Sequence, residues 1–276
     1  MMNKRIVMIG AGNVAHHLAP ALLKAGLNLC QIYSRSIESA RALGVKTGIT
    51  YTADLFAIYP DCDIYIFCVS DDALLPLFKS IRINKEAVII HTSGSVPLDI
   101  FKASADYYGV MYPLQTFSKK RSLDFAEVPL CIEASEPRVL DTVRQLAGCL
   151  SNNVQEISSE KRKKLHLAGV IANNFTNHLY MMAGKILEEE GLDFNLLKPL
   201  IFETAHKVML LPPYEAQTGP ARRGDENILG LHKSLLKKNR KLAVLYNLMS
   251  DSIQETYAKK EEKEEVGDKP QMLSLW

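Results

Sequence analysis

The sequence predicts an α/β chain in which an N-terminal doubly wound parallel sheet is followed by an all-α domain. Three observations carry that reading. Strand-like and helix-like segments alternate up to about residue 150, the strand segments are apolar almost without a break, and beyond Ile157 only helical periodicity is left. Strands buried on both faces read as continuous apolar runs, and regular alternation with helices requires right-handed crossovers.

The elements follow in order. Arg5–Ile9 is a short β-branched run, and residues 14–25 form a helix that Gly26 stops. Residues 29–33 are the second strand, and residues 37–43 a second helix that Gly44 ends. Residues 63–69 and 87–91 are near-continuous apolar strands, with further strands at 109–112 and 128–133. Ser135 is expected to cap a helix that carries Pro137 in its first turn. Helices are then expected at about 160–190, 193–209, 225–238 and 239–263, with a loop at 211–224. The predicted domains are therefore 1–153 and 154–276. A charged run, 259–265, leads into a tail from about 264 that is expected to be flexible, and its more apolar end, 272–276, is a candidate for docking on a partner chain.

Composition narrows the function. Of 276 residues, 47% are hydrophobic and 23% charged, which suits a large core. Lys and Arg number 33 against 31 acidic residues, and this near balance disfavours a nucleic-acid or membrane-surface binder. The five cysteines include no Cys-x-x-Cys pair and sit mostly in apolar runs, so buried free thiols in a cytoplasmic protein are expected, and no metal site. The apolar run after the N-terminus is too short for a signal peptide, and no stretch is long enough to span a membrane.

Gly10-Ala11-Gly12-Asn13-Val14-Ala15 fits the G-x-G-x-x-[GA] fingerprint between a strand and a helix. Gly10 permits the tight turn, Gly12 lets the backbone approach a diphosphate, and Ala15 keeps the helix close to the sheet. The first segment thus predicts a Rossmann dinucleotide site. At the end of the second strand an NAD site normally carries a carboxylate, which this chain lacks in Tyr33-Ser34-Arg35-Ser36. Two hydroxyls and a guanidinium favour the 2′-phosphate of NADP, although Ser36 also suits a helix cap. The same residues disfavour S-adenosylmethionine. Val69, Ser70 and Asp71, and the run His91, Thr92, Ser93 and Gly94, fall beyond the carboxyl ends of strands and are expected to line the coenzyme. Ser70 and Asp71 also suit a helix cap, and His91 equally suits a satisfied sheet-end histidine.

In the second half, at about 100° per residue, His166, Asn173 and Asn177 fall on one narrow arc with Gly169 and Gly184 nearby. This stripe reads as a cleft surface, the alternative being buried hydrogen bonds between helices. Gln115 and Thr116 on one side, and Arg223 or Arg222 in the 217–225 loop, are candidates for substrate contact.

The first half resembles the group of F420-dependent NADP oxidoreductases and pyrroline-5-carboxylate reductases, through Gly-Ala-Gly-Asn-Val-Ala and Ser-Arg-Ser. His-Thr-Ser-Gly-Ser at 91–95, Tyr-Pro-Leu-Gln-Thr-Phe at 112–117, the stretch 166–174 and the 218–225 loop together resemble Rossmann-like proteins with a DUF2520 C-terminal domain. The resemblance implies a helical domain similar to the C-terminal domain of 6-phosphogluconate dehydrogenase and a homodimer built through it. One departure stands out. β-Hydroxyacid dehydrogenases carry Lys three residues before the paired Asn, and here that position is Val170, leaving His166 as the proton donor or acceptor. Tyr112 also stands where relatives are expected to carry His. The resulting expectation is an NADP-dependent oxidoreductase acting on a small molecule between the two domains, with His166 and Asn173 catalytic and Gln115, Thr116, Asn177 and Arg223 at the substrate. A non-catalytic NADP-binding sensor or scaffold is the alternative.

Overall fold

The computed structural model describes residues 1 and 3–267, with side chains to residue 258. It divides into two compact units, Met1–Thr176 and Asn177–Trp276.

The first unit is built on an eight-stranded sheet. Its strands are β1 (Arg5–Ile9), β2 (Asn28–Tyr33), β3 (Tyr51–Thr52), β4 (Ile64–Phe67), β5 (Val88–His91), β6 (Tyr108–Pro113), β7 (Leu130–Ala134) and β8 (Val154–Glu156). The order is β3-β2-β1-β4-β5-β6-β7-β8, parallel throughout except for the antiparallel β6–β7 pair. Helices α1 (Asn13–Lys24), α2 (Ile37–Thr47), α3 (Asp71–Ser80) and α4 (Pro137–Gly148) cover the two faces. The period of two along each strand decides which core a side chain joins. Ile6 and Met8 of β1, with Ile64 and Ile66 of β4, pack on the face covered by α1, α2 and α4. Val7, Ile9, Tyr65 and Phe67 pack on the opposite face with α3 and Phe101. Helix α1 buries Ala15, Leu18, Ala19 and Leu22, the i, i+3, i+4, i+7 stripe of an amphipathic helix. Each buried leucine there contributes roughly 1.5–3 kcal/mol.

The structure corrects several boundaries. Gly44 does not end α2, which runs to Thr47 and closes on Gly48 at φ +73°. Gly44 is instead a packing position, since a Cβ there would fall 2.4 Å from the Tyr51 ring. The short edge strands β3 and β8 are additions, too brief to show a period. Ser135 is not the cap of α4; Glu136 holds that position, and the Ser135 hydroxyl accepts from the Tyr108 N–H at 3.3 Å.

Beyond β8 the chain enters α5 (Ser159–Gly169), a π-helical stretch at Val170–Phe175, and α6 (Thr176–Glu189), rather than the uniform helix expected at 160–190. The start of α5 is tied to the sheet by a charged cluster. Arg162, wholly buried, pairs with Glu133 of β7 at 2.6 Å and donates to the Val96 carbonyl at 2.6 Å. Glu133 in turn accepts from the Ser159 N–H at 2.9 Å and from its hydroxyl at 2.6 Å.

The second unit continues with α7 (Lys198–Leu210), the one-turn helices α8 (Pro213–Ala216) and α9 (Pro220–Arg223) inside the expected loop, α10 (Glu226–Leu235) and α11 (Arg240–Gly267). Asp225 caps α10 by accepting from the Ile228 N–H at 3.2 Å. Arg222 lies over the Tyr257 ring at 4.8 Å and donates to the carbonyls of Glu215 and Gln217, so it holds the fold of this loop. Helix α11 passes the end expected at 263. The apolar segment 272–276 lies outside the described residues.

Removing one partner of a buried ion pair leaves the other charge stranded. Glu133→Ala is therefore expected to cost about 3–5 kcal/mol in urea unfolding. A loss below about 1 kcal/mol, the range of an exposed pair, would show that the cluster does not anchor α5.

Candidate functional site

The turn between β1 and α1 can be built only from glycine at its first position. Gly10 sits at φ +116°, and a Cβ there would fall 2.3 Å from the Cys68 carbonyl oxygen. Its N–H donates to the Tyr33 carbonyl at 2.7 Å, which joins the turn to the end of β2. Ala11 is buried, Gly12 and Asn13 are exposed and Val14 is half-buried. Gly12 caps α1 with no side-chain bond. The first-turn N–H groups of α1 are thus presented without a competing side chain, the arrangement that receives a diphosphate.

At the end of β2, Ser34 is half-buried and Arg35 exposed. Ser36 caps α2 by accepting from the Ser39 N–H at 3.2 Å, and it also donates to Glu38 at 2.6 Å. This qualifies the expectation of two free hydroxyls and no nearby carboxylate. The Ser36 hydroxyl is engaged locally, and that bond, with a backbone one, draws the exposed Glu38 below the usual carboxylate range. Ser34 and Arg35 are the other polar residues of this run.

The two loops beyond β4 and β5 are bonded to each other. Half-buried Val69 leads to Ser70, an exposed cap of α3 whose side chain makes no capping bond. The Asp71 carboxylate accepts from the Ser95 hydroxyl. Ser93 Oγ accepts from the N–H groups of Ser95 and Val96 at 3.2 and 3.0 Å. Thr92 is buried and donates to the Phe67 carbonyl at 3.1 Å. His91 is wholly enclosed, its Nδ1 accepting from the Ser93 N–H at 3.2 Å and its ring edge-on to Phe101. Burial, and then the charge of Arg162, pushes its pKa down to about 3, so it stays a neutral acceptor. The His91 and Thr92 side chains shape the loop from beneath and have no open face toward a ligand.

A separate hollow of about 270 Å³ lies where β6 meets α5. Its walls include Tyr112, Gln115, Thr116, His166 and Asn173. The Tyr112 hydroxyl and His166 Nδ1 share a hydrogen bond of 3.2 Å, with the two rings edge to face. Gly94 makes room for the pair, because a Cβ there would fall 2.8 Å from both His166 Nδ1 and the Tyr112 ring. Burial raises the Tyr112 pKa, and the phenol therefore remains protonated. Ala172, Asn173 and Asn174, all in the π-helical stretch, line this wall. Val170, at the position of the missing Lys, also lines it.

The structure therefore gathers His166, Asn173, Gln115 and Thr116 around one hollow. Asn177 opens the second unit and lines a different hollow there with Tyr180, Lys185 and Phe194, and Gly184 packs against Phe194. Arg223 is exposed on α9 of that unit. Tyr112 is the residue that sequence reasoning left without a role; its only signal was the substitution at a position expected to carry His. Among the described residues, no group of three His, Cys, Asp or Glu side chains is placed to hold a metal ion.

The strand order and the glycine turn are those of a Rossmann domain, and a helical second unit follows it in the chain. Residues 5–94 match the family described as coenzyme F420-dependent NADP oxidoreductase, and residues 128–253 match DUF2520, a domain of unknown function. A Bacteroides fragilis protein described as a "putative NADP oxidoreductase" is 44% identical, with 92% of this chain and 99% of that chain covered at a TM-score of 0.88. A Thermotoga maritima protein is 25% identical over 92% of this chain and 99% of its own, at 0.78. The 1-pyrroline-5-carboxylate reductase of Streptococcus pyogenes, 14% identical over 91% and 98% at 0.61, shares the fold. No curated protein matches. The chain belongs to the NADP oxidoreductase family that carries a DUF2520 domain, and NADP is the cofactor of that family.

Proposed function

We propose that the chain transfers a hydride between NADP(H) and a small molecule held in the His166 hollow. The convergence of Gly94, Tyr112, His166 and Asn173 carries this reading, since it joins a proton-handling pair to the loop beside the coenzyme turn. Residues 10–14 would cradle the diphosphate, Ser34 and Arg35 the 2′-phosphate, and Ser70, Asp71 and Ser93 the neighbouring edge. The bound coenzyme supplies the hydride. The protein's own residues position the substrate and manage the proton. In its imidazolium form His166 donates Nδ1–H to the Tyr112 oxygen, which leaves Nε2–H to give the proton that accompanies reduction. Asn173, Gln115 and Thr116 offer neutral hydrogen bonds for orientation.

A homodimer through the second unit fits the same reading. Few of its residues are buried, while Leu200, Phe202, Met209 and Leu235 are 63%, 70%, 81% and 72% exposed. A cytoplasmic setting suits five cysteines that form no disulfide. No helix among the described residues is long and apolar enough to cross a membrane.

Arg35→Ala is expected to weaken NADP by on the order of 1–3 kcal/mol, the loss of one charged hydrogen bond, and to leave NAD unchanged in calorimetry. Equal effects on both would remove Arg35 from the 2′-phosphate. His166→Ala is expected to lower kcat by on the order of 10²–10⁴-fold with NADP affinity intact, in assays of NADPH oxidation across imines, aldehydes, 2-keto acids and a deazaflavin. Tight NADPH binding with no turnover of any of these by the unmodified protein would leave a binding protein instead. Light scattering should give a dimer, and Leu200→Asp with Phe202→Asp a monomer; a monomeric unmodified chain would refute the interface.

A further inference from the structure

The first unit holds a second, larger hollow of about 660 Å³ that the proposed reaction does not use. It follows α1 and is bounded by the end of α2, residues 119–126 and the end of α4. Lys24, Lys46, Lys119, Lys120 and Arg121 line it. Asp124 is the one carboxylate on the wall, and it already accepts from the Ala126 N–H at 3.2 Å. Among the described residues, none of the five cations forms an ion pair. Lys46 reaches only the His16 carbonyl, at 3.4 Å. Uncompensated charges of one sign around a concavity concentrate anions there.

The floor is of a different character. Half-buried Pro20, Ala21 and Leu123 form an apolar surface, with Phe125 buried beneath it. Phe125 stacks on Phe117, which in turn meets the His17 ring at 5.2 Å. His17 Nε2 donates to the Ser118 carbonyl at 2.9 Å, which ties this segment to α1. Burial first, and then the charges of Lys119 and Lys46, hold His16 below the usual imidazole range, against two backbone bonds. Both lysines therefore bear on the same end of the hollow. The volume is that of a metabolite site rather than of a surface for a polymer, and a net charge of +2 gives no general pull on nucleic acid.

We propose that this groove binds a phosphorylated small molecule with an aromatic ring, the nucleotide class, at a site distinct from the coenzyme turn. The cations would take the phosphates, and the apolar surface of Pro20, Ala21 and Leu123 the ring. His16 lies one turn from the glycine loop, its Nδ1 donating to the Gly12 carbonyl at 3.1 Å. The test must therefore separate the groove from the coenzyme site.

Equilibrium dialysis of the full chain against ATP, inorganic triphosphate and adenosine, with and without saturating NADP, makes that separation. ATP is expected to bind under both conditions, triphosphate more weakly, and adenosine not measurably. Lys120→Glu with Arg121→Glu, both on exposed loop positions, should weaken ATP on the order of tenfold or more while NADP affinity stays within about twofold. The proposal is overturned if ATP does not bind, if NADP displaces it, if adenosine binds as well as ATP, or if charge reversal leaves ATP affinity unchanged. The arm without NADP stands even if the coenzyme reading fails.

Discussion

The contact between Arg162 and Glu133 governs how the site is assembled. A guanidinium without solvent access needs a carboxylate and hydrogen-bond acceptors in place of water, and here Glu133, Ser159 and the Val96 carbonyl engage its two terminal nitrogens, while Nε has no partner among the described residues. The same carboxylate accepts from the first-turn N–H of α5, where negative charge suits the helix dipole. One cluster thus joins β7, the loop after β5 and the first helix beyond the sheet. His166 follows Arg162 by four residues on α5, one turn along the same face, so anchoring the arginine delivers the imidazole to Tyr112.

That anchor also acts on the loop it touches. With burial, the Arg162 charge keeps His91 neutral, and a neutral Nδ1 can accept from the Ser93 N–H. Ser93 then accepts from two further N–H groups, which leaves Gly94 where any side chain would collide with the Tyr112–His166 pair. A position that reads as a loop glycine in the sequence is a steric requirement of the hydrogen-bonded Tyr112–His166 pair.

On the sheet face that carries α1 and α4, the chain leaves a cationic groove beside an apolar floor. Its cations come from segments far apart in sequence, from Lys24 to Arg121, and the overall charge balance conceals them. Local charge density is a property of folding, and composition averages it away.

Much was legible from residues alone because it rests on short-range rules. The glycine turn at 10–15, the apolar β1, β4 and β5, and the α1 stripe are set by φ preference and periodicity, which a linear pattern displays. Gly44 misled because a glycine that stops a helix and one that admits Tyr51 look identical in one dimension. The π-helical stretch was invisible since it changes the angular step without changing the residues. The role of Tyr112 likewise depends on His166, 54 positions away. By itself, then, the sequence determined the architecture and the glycine turn, both consequences of backbone freedom and burial period. Only the tertiary structure decided which polar residues share a hollow, because pairing at long separation is set by the packing of elements and not by the order of residues along the chain.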